Sequence, residues 1–95
     1  MELGLDGARA IVTGAGAGIG RAVAITLAES GVHVLLVARR INALEAVADR
    51  ITETTGRRPA LLSCDLSAPD AASVIGRAAR EELGGVDIVV NNAGQ

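Results

Sequence analysis

Short apolar runs and amphipathic segments alternate along the whole sequence. Four runs have the length and the apolar, β-branched composition of strands, namely Arg9–Thr13, Val32–Val37, Ala60–Cys64 and Val86–Val90. The second run is unbroken apart from His33, which is typical of a strand whose sheet is covered on both faces. The pattern therefore predicts four strands, with His33 partly exposed at a strand end and not acting as a ligand.

The segments between these strands have the three-to-four-residue apolar spacing of helices. The predicted helices run from Gly18 to Ser30, from about Asn42 to the turn at Gly56, and from Ser67 to the glycine pair at 84–85. Asn42 and Glu45 have the spacing of a capping box, and Ser67 is the expected cap of the third helix. The apolar stripes that start at Ile19 and Ile41 are expected to face the core.

The order of the elements is βαβαβαβ over a single domain, residues 1–95. Strands that are joined by helical crossovers lie parallel, and such crossovers are right-handed. We therefore predict an α/β fold with a Rossmann-type parallel sheet in the order 3-2-1-4. Strands one and four then flank the point where the strand order reverses, and open α/β sheets bind ligands there, outside the carboxyl ends of the strands.

A loop with four glycines at alternating positions, residues 13–20, joins the first strand to the first helix. This arrangement exposes backbone N–H groups and the positive end of a helix to an anion such as phosphate. The strict fingerprint Gly-x-Gly-x-x-Gly does not fit, because its third glycine would fall on Ile19, and no Gly-Lys-Ser/Thr follows to make a P-loop. The loop predicts a phosphate-bearing ligand, against the alternative of a glycine-rich turn that binds none.

The amino-acid composition of the chain disfavours several classes of function. The 95 residues are 49% hydrophobic, enough for a small core, and the net charge of −2 gives no electrostatic reason to bind nucleic acid or an anionic membrane. No aromatic residue is available for base stacking, and no apolar stretch approaches the roughly 20 residues of a membrane helix. No signal peptide is visible, and the single cysteine, Cys64, fits a reducing cytoplasm. No metal site is predicted.

Two motifs resemble those of the short-chain dehydrogenase/reductase family. Thr13-Gly14, Gly18 and Gly20 match its cofactor loop Thr-Gly-x-x-x-Gly-x-Gly, and residues 91–94 match its Asn-Asn-Ala-Gly turn after the fourth strand. The resemblance covers essentially the whole chain. It implies a nicotinamide dinucleotide as cofactor and a Rossmann-type fold that is incomplete here relative to the family fold.

The resemblance implies cofactor-binding roles at every strand end. Asp65 stands where the family's Asp hydrogen-bonds the adenine amino group, Asn91 where an Asn braces the central strands, and Ala93-Gly94 where the nicotinamide ribose is lined. The implied cofactor-binding residues are Thr13, Gly14, Gly16, Ala17, Gly18, Ile19, Gly20, Arg39, Asp65, Leu66, Asn91, Ala93 and Gly94.

The end of the second strand favours NADP(H) over NAD(H). A fold that binds NAD has Asp or Glu here for the ribose hydroxyls, whereas this chain has Ala38, then Arg39 and Arg40. A carboxylate would repel a 2′-phosphate, and a guanidinium pairs with it through charge-assisted hydrogen bonds. Arg39 is the better candidate. Ala17 departs from the basic residue that many NADP-preferring members carry, and an ordinary exposed arginine pair is the alternative.

By resemblance, the chemistry is hydride transfer between nicotinamide C4 and a carbonyl or alcohol carbon, using a Tyr acid/base, a Lys four residues on and a Ser. In the family these residues follow the Asn-Asn-Ala-Gly turn, and this sequence contains no tyrosine or lysine. We therefore expect no catalytic residue in this chain. It resembles the cofactor-binding half of an oxidoreductase whose intact form acts on a small carbonyl or alcohol substrate and is a homo-oligomer.

Two other classes of function stay open at this point. A non-catalytic NADP-binding module, acting as a sensor or scaffold, would keep the same loop, and it is favoured if 95 residues is the true length. A Rossmann-like methyltransferase is disfavoured, because an acid at the end of the second strand normally holds the cosubstrate ribose. A Tyr-x-x-x-Lys downstream of Gln95 would distinguish the oxidoreductase from the module.

Overall fold

Strands and helices alternate through residues 5–92, the part of the chain that the computed structural model describes. The elements are β1 (Arg9–Thr13), α1 (Gly18–Glu29), β2 (His33–Ala38), α2 (Ile41–Thr55), β3 (Ala60–Ser63), α3 (Ala71–Leu83) and β4 (Ile88–Val90). All strand pairs are parallel and the sheet order is β3-β2-β1-β4, which confirms the predicted α/β fold and strand order. The order reverses between β1 and β4.

The core lies on both faces of the sheet, because successive side chains of a strand point to opposite sides. On one face, Ala10 and Val12 of β1 pack with buried residues of α1 and α2 such as Ala24 and Leu44. On the other face, Ile11 joins Leu35, Val37 and Ala79, and the last of these belongs to α3. Since β1 and β2 are buried on both faces, the strand ends at the sheet's centre are held firmly.

The helix ends follow the predicted glycines but not the predicted caps. Gly56 and Gly84 end α2 and α3 in the left-handed conformation, with φ of 75° and 79°. The predicted capping box of Asn42 and Glu45 is wrong, because α2 begins one residue earlier, at Ile41, without a side-chain cap. The predicted cap at Ser67 is also wrong, since α3 begins only at Ala71.

Two predicted core positions are exposed. Ile19 is 66% exposed and Ile41 is 42% exposed, whereas the stripe of α2 further along is buried, as at Leu44 and Ile51. Ile19 and Ile41 belong to the first turns of α1 and α2, which follow the carboxyl ends of β1 and β2. These first turns extend past the edge of the sheet, so their apolar side chains have no sheet residues to cover.

At the opposite, amino edge of the sheet, an exposed ion pair joins β1 to the approach of β4. The Asp87 carboxylate accepts hydrogen bonds from the Arg9 backbone N–H at 2.9 Å and from Arg9 Nε at 3.1 Å. The Asp87 N–H in turn donates to the Arg9 carbonyl at 2.8 Å. The hydrogen bonds from the Arg9 side chain and backbone, the side-chain bond foremost, and the Arg9 charge lower the pKa of Asp87 below its ordinary value. No helix within residues 5–92 is long and apolar enough to cross a membrane.

Candidate functional site

An open groove of about 900 Å³ lies at the carboxyl edge of the sheet, where the loops that follow the strands meet. Its lining contains nine of the residues implied by the resemblance, namely Gly14, Gly16, Ala17, Gly18, Ile19, Gly20, Arg39, Asp65 and Leu66. It also contains Arg40 and Asn92, which lie within the quoted motifs without an assigned role, and Ala38, Ala43, Cys64 and Ser67, to which the sequence assigned no part in binding. Ala93 and Gly94 lie outside the described residues.

The shape of the glycine loop depends on positions that lack a side chain, and Gly14 and Gly20 are the most crowded of them. Gly14 has a φ of +64°, and a Cβ added there would lie 2.9 Å from the backbone oxygen of Asn92. A Cβ on Gly20 would overlap the carbonyl group of Gly14, so that α1 would have to move away from the end of β1. The loop therefore brings the start of α1, the end of β1 and the turn after β4 into direct contact.

The amino terminus of α1 opens into this groove without a cap. Ala17 is the N-cap residue, it makes no side-chain hydrogen bond to the helix, and the first turn carries no acidic residue. The first N–H groups of any α-helix lack partners within the helix, and the aligned peptide dipoles make that end positive. Since Ala17, Gly18 and Ile19 all line the groove, an anion in it would meet backbone donors with no competing carboxylate of the helix.

Thr13 lies beneath the groove and is buried at 6% exposure. Its hydroxyl donates to Asn91 Oδ1 at 3.1 Å, and it accepts the backbone N–H of Asn92 at 3.0 Å. These bonds tie the last residue of β1 to the turn that follows β4. Thr13 and Asn91 are therefore placed to brace the floor of the groove, whereas Asn92 lines it. The buried Nδ2 of Asn92 has no hydrogen-bond partner among residues 5–92.

Arg39 and Arg40 follow β2 directly and both line the groove. Both are exposed, and neither has an ion-pair partner within the described part of the chain. The backbone beside them is tied to β3, because Cys64 N–H donates to the Ala38 carbonyl at 2.9 Å and Ser63 Oγ donates to the Arg39 carbonyl at 2.8 Å. The groove thus has two guanidinium groups at the end of β2.

Asp65, after β3, is the one carboxylate among the described lining residues. Its Oδ1 accepts the N–H of Ser67 at 2.9 Å and the Ser67 hydroxyl at 2.7 Å. This is what Ser67 does in place of capping α3. The hydrogen bonds from Ser67 and, to a lesser extent, the nearby charge of Arg39 lower the pKa of Asp65. Asp65 is therefore an ionised acceptor at neutral pH.

The described lining of the groove contains none of the acid–base residues that the family resemblance implies. No tyrosine or lysine occurs in the sequence, and no group of three or more potential metal ligands occurs within residues 5–92.

A second, smaller cavity of about 300 Å³ lies beside the start of β2, with His33 and Arg57 in its lining. His33 is exposed there and contacts the Arg57 guanidinium at 3.3 Å, as expected for a residue at a strand end.

The comparisons with known proteins agree with this geometry. The family model for short chain dehydrogenases matches residues 8–95. The 7α-hydroxysteroid dehydrogenase of Escherichia coli (strain K12) is 44% identical over 93 residues, which cover 98% of this chain and 36% of that protein. The farnesol dehydrogenase of Aedes aegypti is 38% identical over 85 residues, covering 90% and 35% of the two chains.

A solved structure extends the likeness to three dimensions. The L-sorbose reductase of Gluconobacter frateurii, complexed with NADPH and L-sorbose, superposes with a TM-score of 0.93 at 37% identity. The match covers 100% of this chain and 36% of that one. This chain therefore spans little more than a third of the length of each of these three relatives.

Proposed function

Because this chain belongs to the short-chain dehydrogenase/reductase family, we propose that residues 1–95 form the NADP(H)-binding part of an oxidoreductase. The reaction that we propose for the whole protein is hydride transfer between NADP(H) and a small carbonyl or alcohol substrate. The relatives support this substrate class by their names, which are those of a hydroxysteroid dehydrogenase, a farnesol dehydrogenase and an L-sorbose reductase.

The observation that carries the proposal is the position of Arg39 and Arg40 in the same groove as the uncapped start of α1. A dinucleotide phosphate has two kinds of anionic group, the pyrophosphate and the 2′-phosphate. The backbone N–H groups at the start of α1 suit the first, and a planar guanidinium suits the second. With Asp65 partly engaged by Ser67, the groove offers a phosphate more positive than negative partners.

The residues of the groove fit the rest of such a cofactor. Gly18 lines the groove and faces open space, with nothing within 4 Å of where its Cβ would stand, so a pyrophosphate has room to approach the backbone there. We assign Asp65 and Leu66 to the adenine, Thr13, Gly16, Ala17, Gly18 and Ile19 to the loop that holds the phosphates, and Asn91, Ala93 and Gly94 to the side of the nicotinamide ribose. When bound, the nicotinamide supplies the hydride chemistry, and this chain's own residues position it.

The preference for NADP(H) is tested by replacing Arg39 with Ala in the full-length protein. Loss of a hydrogen bond to a charged group costs about 1.5–3 kcal/mol, so NADP⁺ binding should weaken roughly 10- to 150-fold. NAD⁺ binding should change little, because NAD⁺ lacks the 2′-phosphate. Isothermal titration calorimetry with each cofactor measures both dissociation constants.

Two further variants serve as a comparison and as a control in this experiment. Arg40→Ala tests the neighbouring guanidinium of the same groove, and we expect a smaller loss than for Arg39→Ala. Arg77→Ala, on the exposed surface of α3, removes the same charge away from the groove lining and should leave both constants unchanged. Equal losses for NADP⁺ and NAD⁺ in Arg39→Ala would refute the assignment. Cofactor binding by the full-length protein without turnover of any carbonyl or alcohol would favour the non-catalytic module instead.

A further inference from the structure

The connection between β2 and α2 carries the two arginines of the groove, yet few regular backbone contacts hold it. Ala38 is the last residue of β2, and α2 begins at Ile41, so Arg39 and Arg40 lie between the two elements. Arg40 is the N-cap residue of α2 and makes no side-chain cap. The orientation of this short connection therefore depends on what holds its peptide groups.

One side chain from β3 contacts this connection. Ser63 pairs in register with Ala38, and Cys64 N–H donates to the Ala38 carbonyl at 2.9 Å. Ser63 Oγ reaches one residue further and donates to the Arg39 carbonyl at 2.8 Å. Because a trans peptide holds its C=O and N–H on opposite sides, this bond also turns the Arg40 N–H away from β3.

We propose that Ser63 is a positioning residue for cofactor specificity, which acts by anchoring the Arg39 carbonyl and so holds the Arg39 guanidinium towards the 2′-phosphate. This inference rests on the role proposed above for Arg39. An arginine side chain has high rotamer freedom, and fixing the backbone from which it extends lowers the entropy lost when it binds. Ser63 itself does not line the groove, so its contribution is indirect.

The effect should be selective, because only NADP(H) carries the group that Arg39 is proposed to hold. In Ser63→Ala of the full-length protein, loss of one neutral hydrogen bond should weaken NADP⁺ binding by roughly 2- to 10-fold. NAD⁺ binding should stay within about 2-fold. Ser63→Thr keeps the hydroxyl and should restore the NADP⁺ preference. Ser63 is exposed, so none of these changes disturbs a core position.

A matched control exists in the same chain. Ser30 Oγ donates to the Thr26 carbonyl at 3.0 Å, which is the same kind of exposed serine-to-carbonyl bond at the end of α1. Ser30→Ala should leave both cofactor dissociation constants unchanged. Thermal unfolding of every variant shows whether any change in binding merely follows a loss of stability.

The double variant Arg39→Ala/Ser63→Ala separates this inference from the proposed function. If Ser63 acts through Arg39, removing Ser63 Oγ in the Arg39→Ala background should change neither dissociation constant further. A selective loss in Arg39→Ala with no selective loss in Ser63→Ala overturns only the role of Ser63. An unchanged NADP⁺ preference in Arg39→Ala overturns both proposals. An equal loss for both cofactors in Ser63→Ala also overturns the role of Ser63, because it indicates a general effect on the fold.

Discussion

The hydroxyl of Thr13 is the contact whose removal tests most directly how the groove is held together. Thr13→Val keeps the volume and the β-branched shape of a buried strand residue but removes the one atom that bonds the turn after β4. The change therefore isolates hydrogen bonding from packing. Thr13→Ser is its complement, because it keeps the hydroxyl and removes a buried methyl group.

The magnitude follows from the two bonds. Loss of the bond to Asn91 Oδ1 should cost about 0.5–1.5 kcal/mol, the net worth of a typical intramolecular hydrogen bond. The Asn92 N–H loses its acceptor and has a methyl group in its place, which costs about 1–3 kcal/mol where water does not reach it. Thr13→Val should therefore lower the free energy of unfolding by about 1.5–4.5 kcal/mol. Thr13→Ser should cost about 0.5–1.5 kcal/mol, the range for removal of one buried methyl group.

Urea denaturation of the full-length variants measures these differences, with the slope of the transition expected to stay constant. Cofactor titration adds a second readout. Thr13 braces the turn after β4 and does not contact the connection after β2, so Thr13→Val should weaken NADP⁺ and NAD⁺ binding to the same extent. If Thr13→Val proves no less stable than Thr13→Ser, the hydroxyl network does not hold the strands together and the reasoning is wrong.

Two more predictions follow from the same geometry. The pKa of Asp87 is lowered in the folded state, so its ion pair with Arg9 contributes stability above the unfolded pKa of about 3.9 and loses it as the pH falls through the lower folded value. Asp87→Asn should thus be less stable than the parent near neutral pH, with the difference closing below about pH 4, and a difference that widens in acid would contradict this. Residues 1–95 produced alone should bind NADP(H) weakly and transfer no hydride, because they contain no acid–base pair of the family's type. Cofactor-dependent carbonyl reduction clearly above a control without protein would refute that expectation.

The polarity pattern predicts the sheet well, because each strand is a distinct apolar run and the crossover rules leave one simple order. It also predicts the edge at which the groove forms, since the four-glycine loop, the Arg39-Arg40 pair and the Asn91-Asn92 turn each follow a strand. The helix starts were less predictable. Asn42 and Ser67 are residue types that often cap helices. In the structure, however, α2 already begins at Ile41, and Ser67 donates its hydrogen bonds to Asp65 and does not cap α3.

Contacts between distant segments could not be predicted from spacing at all. The close contact between Gly14 and Asn92 joins residues that are far apart in sequence. It depends on the register of β1 against β4 in the sheet. The bond from Ser63 to Arg39 likewise depends on the register of β2 and β3. The exposure of Ile19 has the same origin, because an amphipathic stripe in the sequence does not say where the sheet beneath it ends.

The separation between the connection that bears the arginines and the buried core has an evolutionary consequence. Arg39 and Arg40 are exposed and lie between two elements. Substitutions there should therefore change the free energy of unfolding by no more than about 0.5 kcal/mol. Thr13 and Gly20, in contrast, are buried and constrained on several sides. On the proposal that Arg39 sets the cofactor preference, a lineage carrying this domain could change from NADP(H) to NAD(H) through one or two substitutions in this connection, because they leave the stability of the scaffold almost unchanged.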